Sequence, residues 1–159
     1  MRNYMKLEVA ALGENESFTR NAVAAFALCL NPSLGELSDI KTAVSEAVTN
    51  SIVHAYGGDN AQGKIWIECV AEEFDGGGVL HITVTDDGCG IADVEKALQP
   101  FFTTLEDEER SGMGFTIMQT FMDGFSLDSG SGKGTKVSMF RNIGGGGFLA
   151  QERKERMDA

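Results

Sequence analysis

Lys64-Ile65-Trp66-Ile67-Glu68-Cys69-Val70-Ala71-Glu72 sets Ile65, Ile67, Cys69 and Ala71 on one side of the chain and Lys64, Trp66, Glu68 and Val70 on the other. That period of two belongs to a half-solvated strand. Asp75-Gly76-Gly77-Gly78 then reads as a turn, and Val79 to Asp86 repeats the alternation with Leu80, Ile82 and Val84 on one face. The two runs predict an antiparallel hairpin whose apolar face needs a cover. A cover precedes it: from Leu34 to Tyr56, Leu37, Ile40, Val44, Ala47, Val48 and Ile52 recur at three- and four-residue steps, one buried stripe on a long helix that Gly57-Gly58 ends.

Further upstream, Met5 to Leu12 reads as a first strand, Asn15-Glu16-Ser17 offers capping side chains to a helix over Phe18 to Leu30, and Asn31-Pro32-Ser33 stops that helix. Downstream, Ala92 to Leu98 predicts a short helix. Pro100 to Gly112, with its acidic run Glu106 to Glu109, predicts a long exposed loop of the length reserved for lids and binding elements. Phe115, Met118, Phe121 and Met122 have helical spacing and read as core. Phe125 to Ser129 and Thr135 to Phe140 form a second hairpin around Gly130-Ser131-Gly132-Lys133-Gly134. The fold class is therefore α+β, an antiparallel or mixed sheet with helices on one face. Residues 1–143 are expected to form the domain and 144–159 a flexible glycine-rich, charged tail.

A chain of 159 residues, 42% hydrophobic, is the size of one domain with a real core. Thirteen Lys+Arg against 24 Asp+Glu leave a net charge of -11, which gives no basic surface for binding nucleic acid or an anionic membrane and favours a basic protein partner. The longest apolar run, Ala22 to Leu30, is nine residues, where a membrane span needs about 20. A cytoplasmic protein is expected. Cys29, Cys69 and Cys89 are odd in number and lack a Cys-x-x-Cys pair, so free thiols are expected in place of disulfides or a zinc site. His54 and His81 read as structural.

Four short signals carry chemistry. Glu46 and Asn50 lie one helical turn apart, away from the buried stripe; alone they read as a solvated face, and with company as a seat for magnesium or a water. Asp86-Asp87-Gly88-Cys89-Gly90 closes a strand with an acceptor and two glycines that let backbone approach a ligand. Ser111-Gly112-Met113-Gly114 opens a helix with free N–H groups, a recipe for a phosphate site that is equally a turn. Gly134-Thr135 heads the last strand.

Taken in order, Glu-x-x-x-Asn, Asp-x-Gly-x-Gly, Gly-x-Gly and Gly-Thr resemble the GHKL ATPases and kinases, over roughly Lys41 to Phe140. Asn15-Glu16-Ser17-Phe18, Ser45 to Asn50, Phe102-Thr103-Thr104 and Arg110 to Met118 narrow the resemblance to bacterial anti-sigma factors of the serine kinase type, the sporulation branch among them. It implies a two-layer helix-on-sheet sandwich of the GHKL (Bergerat) type, with ATP and Mg²⁺ between the long helix and a mobile lid. Asn50 would ligate Mg²⁺, Glu46 would act as base on the attacking hydroxyl, and Asp86 would accept from the adenine amine, with Thr135 in support through water. Gly88 and Gly90 would admit the base. Gly112 and Gly114 would offer N–H groups to the phosphates, and Arg110 would reach them as a catalytic charge. Thr103, Thr104, Ser111 and Met113 would complete the nucleotide contacts.

The implied partners are a sigma factor of the sigma F type, an anti-anti-sigma protein phosphorylated on serine, and a second copy of the chain, with no nucleic acid and no membrane. At Leu105-Glu106-Asp107-Glu108-Glu109 the lid departs from relatives, which commonly continue with a basic residue and a proline. A module that uses ATP only as a structural switch is the competing reading. A hydrolase of the gyrase type would need a transducer domain for which the chain has no room.

Overall fold

The computed structural model describes residues 1–99 and 113–144. Five strands, β1 (Arg2–Ala11), β2 (Asn60–Phe74), β3 (Gly77–Asp86), β4 (Gly124–Ser129) and β5 (Thr135–Ile143), form one antiparallel sheet in the order β1-β2-β3-β5-β4. The helices α1 (Glu14–Ala27), α2 (Leu34–Asn50), α3 (Val94–Ala97) and α4 (Gly114–Phe121) complete the fold, and α2 packs between α1 and α4.

The alternation in β2 and β3 does what a period of two demands. Ile65, Ile67, Leu80 and Ile82 are all fully buried, and they meet Ile40, Val44 and Val48 of α2 and Met118 of α4, which are also fully buried. Each such side chain contributes roughly 1.5–3 kcal/mol relative to exposure, so this one interface holds helix to sheet. Lys64 and Glu68 of β2 and His81 of β3 lie on the opposite, exposed face. A capping box begins α2: Ser33 Oγ accepts from the Glu36 N–H at 3.1 Å and Glu36 Oε2 accepts from the Ser33 N–H at 2.8 Å.

Several local expectations are corrected. Strand β1 begins at Arg2 and not Met5. Helix α1 begins at Glu14, ahead of the proposed caps; Asn15 instead donates from Nδ2 to the Ala10 carbonyl at 2.9 Å, fastening the helix to β1. That helix ends at Ala27 and tightens into a 3₁₀ turn over Leu28–Leu30, with Asn31 in the left-handed region at φ 52°. The long helix is regular only to Asn50 and continues as a π-helical turn over Ser51–Ala55. Only Asp75 and Gly76 make the first hairpin's turn, because Phe74 already pairs with Gly77. The lid lies outside the described residues, as does the tail beyond Gly144.

This topology gathers three strand ends on one edge. Asp86 ends β3, Thr135 opposite it begins β5, and Ser129 opposite Thr135 ends β4. The end of α2 passes over the same edge through Ser51, which bonds Asp86.

Candidate functional site

Asp86 is the one buried carboxylate among the described residues, 5% exposed. It accepts from Ser51 Oγ–H at 2.8 Å through Oδ2, from the Gly88 N–H at 3.0 Å through Oδ1, and from the Thr135 N–H. Burial nevertheless wins and raises its pKa above the ordinary value, while these three bonds pull the other way and the nearby Asp87 charge adds to the rise. A carboxylate kept here at a cost in desolvation, with lone pairs to spare, is a built acceptor.

The loop after Asp86 is fixed by close approach. A side chain at Gly88 would stand 2.5 Å from both Cβ and O of Ala55, and one at Gly90, where φ is +74°, would stand 1.9 Å from the Gly130 carbonyl. Both glycines therefore let the loop lie on protein, with the Cys89 N–H bonded to the Ala55 carbonyl at 3.0 Å. Tyr56 ties the same loop to the sheet: its hydroxyl lies 2.6 Å from Asp87 Oδ1 and 2.5 Å from the Lys64 carbonyl. Burial first, then the Asp87 side chain, pushes the Tyr56 pKa up to about 12.

In the last turns of α2, just before Ser51, Glu46 and Asn50 are half-buried against the first turn of α4. A Cβ on Gly114 would meet Asn50 Nδ2 at 3.0 Å, Asn50 Oδ1 at 3.2 Å and Glu46 Oε2 at 3.2 Å. A side chain there would press on both and make them give by a few tenths of an ångström. Met113 occupies the N-cap position with no side-chain cap, and the field of a helix start favours an anion there. The pair thus faces α4 and not open solvent. Thr103, Thr104, Arg110, Ser111 and Gly112 lie outside the described residues.

Among the described residues no group of three or more His, Cys, Asp or Glu side chains is arranged to hold a metal, and no helix is long and apolar enough to cross a membrane. Cys29, Cys69 and Cys89 are free thiols. A groove of about 560 Å³ is lined by Arg20 of α1 and by Leu37, Ser38, Lys41, Ser45 and Glu46 of α2.

Ser51, Tyr56 and Ser129 were not among the residues expected from sequence. Ser51 follows Asn50 directly, where a regular helix would carry it off the site. Ser129 had a legible signal: on β4 it continues the inward-facing series Phe125, Leu127, and a hydroxyl in that series needs a partner.

An antiparallel sheet with helices on one face, an acceptor carboxylate at its edge and a Glu/Asn pair over a helix start define a histidine kinase-like, ATP-binding domain of the GHKL type. The chain matches the family described as "Histidine kinase-like ATPase domain" over residues 9–141. It is 48% identical over 143 residues to the anti-sigma F factor of Bacillus subtilis, covering 90% of this chain and 94% of that one. It is 54% identical over 142 residues to the anti-sigma F factor of Caldanaerobacter subterraneus, covering 89% and 95%. Among solved structures, the RsbU and RsbW domains of a Mycobacterium tuberculosis protein superpose with a TM-score of 0.60 at 16% identity, covering 89% of this chain and 32% of that one, a likeness of fold. A mycobacterial sensor histidine kinase gives 0.51 at 16% identity, covering 87% and 98%. The chain belongs to the anti-sigma F factor family.

Proposed function

We propose that the chain is a cytoplasmic anti-sigma factor that binds a sigma factor of the sigma F type and uses ATP and Mg²⁺ to phosphorylate a serine on an anti-anti-sigma protein. The observation that carries this reading is that the Glu46 carboxylate and the Asn50 amide both lie against the backbone of Gly114 at the start of α4: a Cβ there would stand 3.2 Å from Glu46 Oε2, 3.2 Å from Asn50 Oδ1 and 3.0 Å from Asn50 Nδ2. A carboxylate and an amide oxygen beside a helix N-terminus suit a magnesium phosphate, because Mg²⁺ takes one or two protein oxygens and fills its shell from phosphates and water. Asn50 would hold the ion through Oδ1. When bound, Mg²⁺ neutralises charge on the β and γ phosphates.

The rest falls to the chain's own residues. Asp86 accepts from the adenine amine, with Thr135 beside it on the adjacent strand. Glu46 takes the proton of the serine hydroxyl as that oxygen bonds to the γ-phosphorus and the bond to the ADP oxygen breaks. Arg110, Gly112 and the other lid residues would complete the phosphate contacts. Glu46 lines the groove beside α1, so a peptide lying in it would bring its serine near the base; Arg20 on its wall is a candidate partner contact. A homodimer is part of the same reading. The charge of -11 favours a basic partner, whose association should slow as salt rises.

The test is incubation of the chain with labelled ATP, the sigma factor and the candidate anti-anti-sigma protein. Label on a serine of the latter, and co-elution of the sigma factor in ATP, are the expected results. Nucleotide-dependent sigma binding without transfer would replace the kinase with a switch module.

A further inference from the structure

The edge that holds Asp86 contains a second hydrogen-bond system that the phosphoryl transfer does not use. Ser129 Oγ lies 2.7 Å from the Gly134 carbonyl, 2.8 Å from the Ile91 N–H and 3.0 Å from Thr135 Oγ1. A hydroxyl has one proton and two lone pairs. The carbonyl can only accept, so the Ser129 proton goes to Gly134; the Ile91 N–H takes one lone pair of Ser129. The Thr135 hydroxyl must then donate to the other. Its proton points at Ser129, away from Asp86, and its remaining valence toward the site consists of lone pairs.

The donors around Asp86 are spent in the same way. The Ser51 hydroxyl, the Gly88 N–H and the Thr135 N–H all go to the Asp86 carboxylate. Among the described residues of this edge, the side chains offer acceptors and their hydroxyl donors are committed. Asp86, Thr135 and Ser129 stand in one row across three paired strands on the helix-covered face, so the arrangement is built into the sheet register.

We propose that Ser129 is a positioning residue that fixes the direction of the Thr135 hydroxyl and thereby makes the site select a purine carrying a 6-amino group over one carrying a 6-oxo group. The inference rests on the ATP reading given above and deepens it. A 6-amino group brings donors to an acceptor edge. A 6-oxo purine moves its donor to N1 and puts an acceptor at the 6-position, and that acceptor finds no donor while Ser129 holds the Thr135 proton and Asp86 holds that of Ser51. Discrimination of this kind is strong where a buried polar group would be left unpaired.

The experiment is equilibrium binding of ATP and ITP, which differ in the group at the purine 6-position and in the proton that the 6-oxo base carries on N1, to the full chain and four variants. The parent should prefer ATP. Ser129→Ala frees the Thr135 proton to serve the 6-oxo group, and the ATP/ITP preference should narrow by roughly three- to tenfold, the value of one hydrogen bond. Ser129→Thr keeps the hydroxyl and should restore the preference. In a Thr135→Val background, Ser129→Ala should leave the ratio unchanged, because there is no hydroxyl left to orient. Should Ser129→Ala not fold, Thr135→Val alone should narrow the ratio by a similar factor.

Equal loss of both nucleotides in Ser129→Ala would make Ser129 a structural residue and overturn the inference. So would an unchanged ratio in that variant, or a parent that binds ATP and ITP alike. A parent that binds neither nucleotide would instead overturn the ATP reading itself.

Discussion

The two ends of the site are made by different means. At the Asp86 end, a buried carboxylate is held by Ser51, Gly88 and Thr135, and the neighbouring loop is locked by Tyr56 and by glycines pressed on Ala55 and Gly130. At the other end, Glu46 and Asn50 project from a regular stretch of α2, half-buried, over the bare first turn of α4. In the proposed function the first end recognises the base through a rigid network. The second sets a carboxylate and an amide beside the start of a helix, whose field favours the charge that arrives with phosphate. A change at the proposed base, Glu46, should therefore alter rate with little effect on binding, and a change at Asp86 should do the reverse.

The largest effect should come from Glu46→Gln. The swap is nearly isosteric and keeps helix propensity, but a glutamine cannot take a proton from a serine hydroxyl. Transfer should fall by about 10²–10⁴-fold while ATP and sigma binding persist, as read by single-turnover labelling beside a binding isotherm. Asn50→Ala tests whether the two residues of this end are separable, since it should lose Mg²⁺-dependent nucleotide affinity as well as transfer. A Glu46→Gln protein that transfers within a few-fold of the parent would reduce Glu46 to an orienting group and blur the contrast between the ends.

An intermediate effect is expected from Asp86→Asn. The amide can present its NH₂ where an acceptor is needed, and it disturbs a network of three donors. Affinity for ATP should drop by about 1.5–3 kcal/mol, the range for hydrogen bonds to charged groups, or roughly 10- to 150-fold. Calorimetry would read it. The rate of transfer at saturating ATP should change much less, and a large loss there would mean the recognition end also sets the chemistry.

The contrast also governs what could be read before any fold was known. Alternation in Lys64 to Glu72 and the stripe from Leu37 to Val48 depend on burial alone, and burial has a period, so sheet and helix were legible. Glu46 and Asn50 were legible as a pair for the same reason: one turn of a regular helix. Ser51 was not, because apolar steps of three and four run on through Ile52 and conceal the change to a π-helical turn that begins there. The capping role expected of Asn15 failed because its side chain found a tertiary partner in the Ala10 carbonyl. Gly77 and Gly78 look like turn residues by composition, yet strand pairing placed them in β3. Local propensity loses wherever a long-range contact offers the same group a better partner.

The smallest effect concerns pH, and it follows from the sign of one shift. Burial raises the Asp86 pKa above its ordinary value of 3.8, against the pull of Ser51, Gly88 and Thr135. For the fold, a raised pKa means that the native state holds this proton more tightly than the unfolded chain. The stabilisation from protonated Asp86 is therefore complete below the ordinary aspartate range and lost as pH rises through the folded value. For nucleotide the sign is opposite, because only the carboxylate accepts fully from an amine. Acidification should thus weaken ATP binding through Asp86 while, at this residue, easing the burden on the fold. Nucleotide should be released over a window that opens above the pH at which an exposed aspartate titrates, and before circular dichroism shows unfolding. The change should be only a few-fold at the start of the window, so it is best read as the difference between parent and Asp86→Asn, since both proteins experience the titration of the nucleotide itself alike. Parallel pH profiles for the two would remove Asp86 from recognition and with it the distinction between an end that binds the base and an end that meets the phosphates.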